Sequence, residues 1–172
     1  MIRLRPYKEC DAKYLMKWME DECTFVKWSA NHFEYPLTLE QLMVYKKLHD
    51  EKENSWIITA LDENGHTIGH MLMEKLNFEE NSIHLGHVIV DSSKRGNGIG
   101  KEMLKTALIY AFEVFLVSKV TLAVFDNNVQ AYNCYKSIGF KIFEEYKECF
   151  TYGDENWGCY YMEINRKEFD KL

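Results

Sequence analysis

The stretch Leu85–Leu104 reads L-G-H-V-I-V-D-S-S-K-R-G-N-G-I-G-K-E-M-L. An apolar strand pattern runs into a short polar loop and then into an amphipathic helix pattern. Between loop and helix stand Gly96, Gly98 and Gly100, at alternate positions. The first turn of a helix carries unpaired N–H groups and a partial positive charge. Bare backbone at that point makes a cradle for a phosphate or pyrophosphate. Arg95 and Lys101 bracket the cradle with positive charge in a chain whose net charge is −6. A phosphorylated cofactor is therefore expected to dock here.

Upstream of this stretch the pattern has a period of two. Ser55 to Leu61 predicts a strand, and Asp62-Glu63-Asn64-Gly65 a hairpin turn in which Asn-Gly supplies positive φ. Thr67 to Phe78 and Ser82 to Val90 continue the meander through a turn at Glu79-Glu80-Asn81. Downstream, Met103, Leu104, Ala107, Leu108, Ala111, Phe112, Phe115 and Leu116 form a broad helical stripe. Lys119 to Phe125 predicts a buried strand, and Val129 to Ile138 a helix ended by Gly139. Phe140 to Phe150 and Trp157 to Asn165 predict a closing hairpin, and the polar tail after Arg166 is expected to fray.

The amino-terminal part is helical. Ile2 to Arg5 predicts an edge strand ended by Pro6. Asp11 is expected to cap a helix carrying Ala12, Tyr14, Leu15, Trp18 and Met19, closed by Asp21 and Glu22. Thr24 to Pro36 shows no clear period and is dense in aromatics. Thr38 with Gln41 predicts a capping box for a helix whose apolar side carries Leu39, Leu42, Met43 and Leu48. The expected fold is α+β: a mixed, mostly antiparallel central sheet of about seven strands, with about four helices on both faces. Residues 1–172 are expected to form one domain.

Composition narrows the function classes. Hydrophobic residues make up 47% of the chain, as in a globular protein. No apolar run reaches the length of a membrane span, and Met1 to Tyr7 carries no signal-peptide core, so a cytoplasmic protein without a membrane partner is expected. The acidic balance argues against nucleic acid as a partner. Cys10, Cys23, Cys134, Cys149 and Cys159 are scattered, which suggests free thiols and no metal site.

Three glycine loops compete for the cradle. A P-loop needs Ser or Thr after Gly-Lys, and Gly100-Lys101 is followed by Glu102. A dinucleotide fingerprint needs G-x-G-x-x-G after the first strand of a βαβ unit, and here G-x-G-x-G follows an antiparallel meander. Arg95-Gly96-Asn97-Gly98-Ile99-Gly100 instead resembles the Arg/Gln-x-x-Gly-x-Gly/Ala loop of the GCN5-related N-acetyltransferases. Asn128-Val129-Gln130-Ala131-Tyr132-Asn133-Cys134-Tyr135-Lys136-Ser137-Ile138-Gly139-Phe140 resembles that family's N-x-x-A-x-x-x-Y-x-x-x-G-F segment at every fixed position. The R-L-R-P-Y start and the paired helices resemble the branch that includes ribosomal-protein N-terminal acetyltransferases.

The resemblance implies the acyl-CoA N-acyltransferase fold and transfer of acetyl from acetyl-CoA to an amine, without a metal. It implies that Arg95, Gly96, Asn97, Gly98, Ile99, Gly100 and Lys101 hold the pyrophosphate. It also implies that the strand before them splays from its neighbour, so that backbone of Val88, Ile89 and Val90 pairs with the pantetheine arm. Tyr135 becomes the general acid for the departing thiolate. Asn128 either caps its helix or hydrogen-bonds the cofactor. His87 is the candidate base, beside Glu74 and His84, because histidine titrates in the useful range. Trp28, Phe33 and Tyr35 shape the acceptor site, where ring faces near Glu34 suit an ammonium. Polyamines, free amino acids, small amines and protein N-termini all remain open as acceptors, for a monomer or a homodimer. The alternatives are a silent CoA-binding module of the same fold and a nucleotide-binding protein of another fold.

Overall fold

A computed structural model describes residues 1–19 and 21–171. The strands are β1 (Arg3–Pro6), β2 (Trp56–Leu61), β3 (Thr67–Asn77), β4 (Ser82–Val90), β5 (Lys119–Phe125), β6 (Lys141–Tyr152) and β7 (Glu155–Asn165). The helices are α1 (Ala12–Trp18), α2 (Glu22–Ser29), α3 (Leu39–Asp50), α4 (Ile99–Glu113), α5 (Val129–Ser137) and α6 (Arg166–Phe169). The strands form one seven-stranded sheet in the order β1-β2-β3-β4-β5-β7-β6. Every neighbouring pair is antiparallel except β4 with β5. The expected mixed, mostly antiparallel sheet is thus present.

Each face of the sheet has its own core. Under α4 and α5 lie Met103, Leu104, Leu108, Phe112, Tyr135 and Ile138 with Ile83, Leu85 and Leu122 of the sheet. Against the other face pack Leu15, Trp18, Phe25, Trp28, Leu42 and Tyr45 of α1, α2 and α3, with Ile57, Leu72 and Ile89 below them. Burying one large apolar side chain contributes about 1.5–3 kcal/mol, so the six fully covered positions of α4 hold that helix firmly.

Among the described residues the α-helices number six, against about four expected. The aperiodic segment contains α2. Asp21 does not close α1 but starts α2, its carboxylate accepting from Thr24 N at 2.8 Å. The buried positions Phe25, Val26, Trp28 and Ser29 have helical spacing, hidden in so short a segment by the aromatics that follow. The face of α3 is also not the expected one. Leu39, Met43 and Leu48 are about half exposed, and Leu42, Tyr45 and His49 face the sheet. The sheet meets them with polar partners: His70 Nε2 lies 3.4 Å from the Tyr45 hydroxyl, and Ser55 Oγ 2.6 Å from His49 Nδ1. Polar complementarity outweighs the apolar stripe there. Nor does the tail simply fray after Arg166. Arg166 donates to the Phe112 carbonyl at 2.7 Å, and Phe169 packs on Phe112.

Asp11 makes no side-chain cap on α1. Buried, it accepts from Arg5 Nη1 and Nη2 at 2.6 and 2.8 Å, from Lys8 N at 2.9 Å and from Thr59 Oγ1 at 2.9 Å. Burial alone would raise its pKa; the Arg5 and Lys8 hydrogen bonds more than reverse that and hold it below the usual carboxylate value. Asp11→Ala leaves the half-buried Arg5 cation without its partner, so it is expected to lower unfolding free energy in urea by about 3–5 kcal/mol. A loss below 1 kcal/mol, on the order of a surface pair, would contradict this.

Two features of β4 shape the middle of the sheet. Leu72 pairs with Gly86 but His70 pairs with Ile89, so β4 carries an extra residue there, and His87 has φ +47°. This bulge turns the strand over. Simple alternation puts His87 on the face of Leu85 and Ile89. Instead Leu85 lies in the core under α4, against which Val88 and Val90 also pack, while Ile89 joins the opposite core. Secondly, β4 and β5 pair only from Ser82↔Lys119 to Leu85↔Leu122. Beyond that point the two strands run free of each other.

Candidate active site

The gap between β4 and β5 opens into a cleft of about 1070 Å³ that passes through the sheet. One end is lined by Arg95, Gly96, Gly98, Ile99, Gly100 and Lys101. Its middle is lined by Val88, Ile89 and Val90 on one side and by Asn128, Cys134 and Tyr135 on the other. The far end holds Trp28, His32, Glu74, His84, Gly86 and His87, and Phe150 and Tyr161 line the cleft on the β5 side. The two motifs, far apart in sequence, therefore meet across one opening.

At the glycine end, Gly96 and Gly98 have φ +81° and +76°, which disfavours any L side chain. Gly98 is the N-cap of α4 and offers no side chain to its first N–H groups, which stay open to an anion. A Cβ on Gly100 would sit 3.7 Å from Val90 Cγ2 and from Cys134 Sγ, an ordinary contact, in keeping with the Gly/Ala choice at that motif position. The Arg95 Nε donates to the Val90 carbonyl at 3.2 Å, tying the loop to the end of β4. The Asn97 side chain turns back onto its own loop, 3.4 Å from the Lys94 carbonyl, and does not line the cleft.

In the middle, Asn128 Oδ1 accepts from Ala131 N at 3.4 Å, capping α5. Its Nδ2 makes no hydrogen bond to a described residue, so capping and a cofactor contact are compatible. Tyr135 lies two turns along α5, with its ring against Phe140 at 6.1 Å. Burial raises its pKa well above the ordinary phenol value, and its hydroxyl makes no hydrogen bond to a described residue. A neutral phenol with an uncommitted O–H, facing an opening, can donate to a bound acceptor.

At the far end the expected residues separate. Trp28 lines the cleft, its indole Nε1 donating to the His87 carbonyl at 2.8 Å. Phe33 stacks behind it at 5.0 Å, and Tyr35 packs on Phe25 at 5.4 Å; neither lines the opening. His87 is enclosed by Trp28, Phe33, Tyr45 and His32, with ring centroids 5.2 to 5.7 Å away. Burial pushes its pKa down to about 3 and that of His84, bonded to Thr121 at 2.9 Å, to about 4. Imidazoles held so firmly neutral accept a proton poorly, which argues against His87 as the base. The hairpin residues Cys149, Phe150, Cys159 and Tyr161 also line the cleft, on the β5 side, and were not expected. The signal was the hairpin itself, which brings the Cys149 and Cys159 side chains into contact.

The family model described as the acetyltransferase (GNAT) family matches residues 12–140. The chain belongs to that family and is an acetyltransferase. It is 26% identical over 151 residues to the N-acetyltransferase 9-like protein of Caenorhabditis elegans, covering 80% of this chain and 74% of the relative. It is 23% identical over 141 residues to the spermidine N(1)-acetyltransferase of Escherichia coli K12, covering 82% and 73%. Among solved structures, spermidine N-acetyltransferase from Vibrio cholerae in complex with CoA and spermine superposes with a TM-score of 0.85 at 18% identity, over 98% of this chain and 97% of that one. That likeness is one of fold. No helix among the described residues is long and apolar enough to cross a membrane.

Proposed function

We propose that residues 1–172 form one domain that transfers an acetyl group from acetyl-CoA to a primary amine by direct attack, with both substrates bound together. The supporting observation is the unzipped stretch of β4 and β5, which leaves backbone donors and acceptors free between the glycine turn and Tyr135. Relatives named for spermidine support an amine acceptor, and the resemblance of the amino-terminal part to ribosomal-protein acetyltransferases keeps a peptide N-terminus within the same reading. Five free cysteines suit a cytoplasmic protein.

The residues divide the work. Open N–H groups at the start of α4, with Arg95 and Lys101, bind the pyrophosphate. The freed edge of Val88, Ile89 and Val90 pairs with the amides of the pantetheine arm as an added strand would. One N–H of that edge polarises the thioester carbonyl. The amine nitrogen forms its bond to the carbonyl carbon, the carbon–sulfur bond breaks, and Tyr135 donates a hydrogen bond or proton to the sulfur. His87 serves as a neutral wall that anchors Trp28. The amine's proton leaves through water in the cleft.

Acetyl-CoA offered with a panel of amines is expected to release free CoA thiol, read against a protein blank. Absence of acetyl-CoA binding at millimolar concentration would end the proposal; tight binding with no product from any amine would favour the silent module. Arg95→Ala is expected to weaken CoA binding by about 10-fold, the worth of one charge-assisted hydrogen bond, and to lower stability by no more than about 1 kcal/mol for the lost bond to the Val90 carbonyl. Unaltered affinity in calorimetry would remove Arg95 from the cradle.

A further inference from the structure

Glu74 contrasts with the buried Asp11 and the half-buried Asp62. Asp11 and Asp62 are each held by several hydrogen bonds. The Glu74 side chain is only 19% exposed, yet no described donor reaches it within hydrogen-bond distance. Its one charged neighbour, Lys75 at 3.8 Å, is 72% exposed and belongs largely to solvent. A carboxylate withdrawn from water and left without donors is costly unless a cation or donor meets it.

Glu74 faces the far end of the cleft, and the space beside it is kept by a glycine. A Cβ on Gly86 would lie 3.8 Å from Glu74 Oε1 and 4.0 Å from His84 Cδ2, with nothing closer. Gly86 has no positive φ, so backbone conformation does not demand glycine there. Its missing side chain leaves a notch above the carboxylate. His84, whose neutral ring is 4.0 Å from that Cβ position, and Trp28, whose indole donates to the carbonyl of the next residue His87, flank the notch; Phe150 and Tyr161 line the same cleft from the β5 side. Glu74 is the only carboxylate among the described residues lining the cleft, and Lys27 and Lys75 line it too.

We infer that this end of the cleft takes a primary monoamine with an apolar or ring-bearing body, its ammonium on Glu74 and its body toward Trp28. The inference rests on the acetyltransferase reading and names its substrate class. One carboxylate matches one ammonium. A polyamine brings two or three further cations into a partly desolvated space that already holds lysines and offers them no further carboxylate, so each adds repulsion or leaves a desolvated charge unpaired. The Trp28 ring offers contact area to the body next to the amine.

The test compares 2-phenylethylamine with spermidine and spermine on the full chain, by kcat/KM at saturating acetyl-CoA and by calorimetric titration of the CoA-loaded protein. 2-Phenylethylamine is expected to lead in both by about 10-fold or more. Glu74→Gln is expected to cost its affinity about 10-fold with CoA affinity unchanged. Gly86→Ala, which the fold has room for, is expected to raise KM for 2-phenylethylamine while the far-UV spectrum stays the same. Equal or better use of spermidine overturns the inference and leaves the acetyltransferase reading standing. Glu74-dependent binding of 2-phenylethylamine without acetylation sinks that reading and supports the site. Binding of neither amine overturns the inference, as does affinity indifferent to Glu74→Gln.

Discussion

Tyr135→Phe is expected to lower kcat by about 100-fold or more, the usual worth of a positioned acid, while CoA affinity and stability hold. The substitution removes one oxygen. The ring stays in its contact with Phe140 under α4, so no cavity forms. The hydroxyl makes no hydrogen bond to a described residue that the fold would lose. What disappears is the only O–H that α5 directs at the middle of the cleft. Burial keeps that phenol protonated across the working pH range, so it is always armed as a donor. Steady-state kinetics with an accepted amine and calorimetry with CoA separate the two effects. An unchanged kcat would leave Tyr135 as a packing residue, and an equal fall in CoA affinity would assign it to binding.

The second large effect is acid lability. Burial lowers the pKa of His70 and His87 to about 3 and of His84 to about 4, and it lowers that of His49 as well. In the unfolded chain each imidazole titrates near 6.5. Below that value the unfolded state binds protons that the folded state refuses until pH 3 to 4. Stability is therefore complete above pH 6.5 and is lost as pH falls. Between pH 7 and pH 5 His70, His84 and His87 together remove about 5 kcal/mol by linkage. That is a large share of the roughly 5–15 kcal/mol a domain has. Urea titrations at the two pH values measure it directly. His70→Gln is expected to flatten the slope by about one proton's worth, on the order of 1.4 kcal/mol per pH unit. Equal stability at pH 7 and pH 5 would show that the imidazoles are not held neutral.

Much of the fold was legible because its elements follow simple periods. The meander, the long apolar stripe and the motif ending at Gly139-Phe140 each announce themselves locally, and they are the parts that frame the cleft. What escaped depends on partners far away in the chain. The outward stripe of α3 is more apolar than its inward one, and only the polar atoms of His70 and Ser55 explain the choice. The bulge at His87 breaks a period of two without any glycine at that position to mark it. Trp28 and His87 come together because α2 crosses above β4, and no local pattern carries that. Of the aromatic trio, Trp28 alone reaches the opening, since Phe33 is spent in stacking behind it.

The joint between β4 and β5 has a mechanical side. Four strands lie on one side of it and three on the other, riveted by the pairs from Ser82↔Lys119 to Leu85↔Leu122. Past Leu85 and Leu122 no ladder hydrogen bond ties the two blades, so the angle between them is the soft coordinate of the sheet. A small change of volume at the Leu85–Leu122 pivot is magnified at Val90 and Phe125, the free tips. Width of the cleft at those tips thus depends on the packing of two core leucines at its closed end.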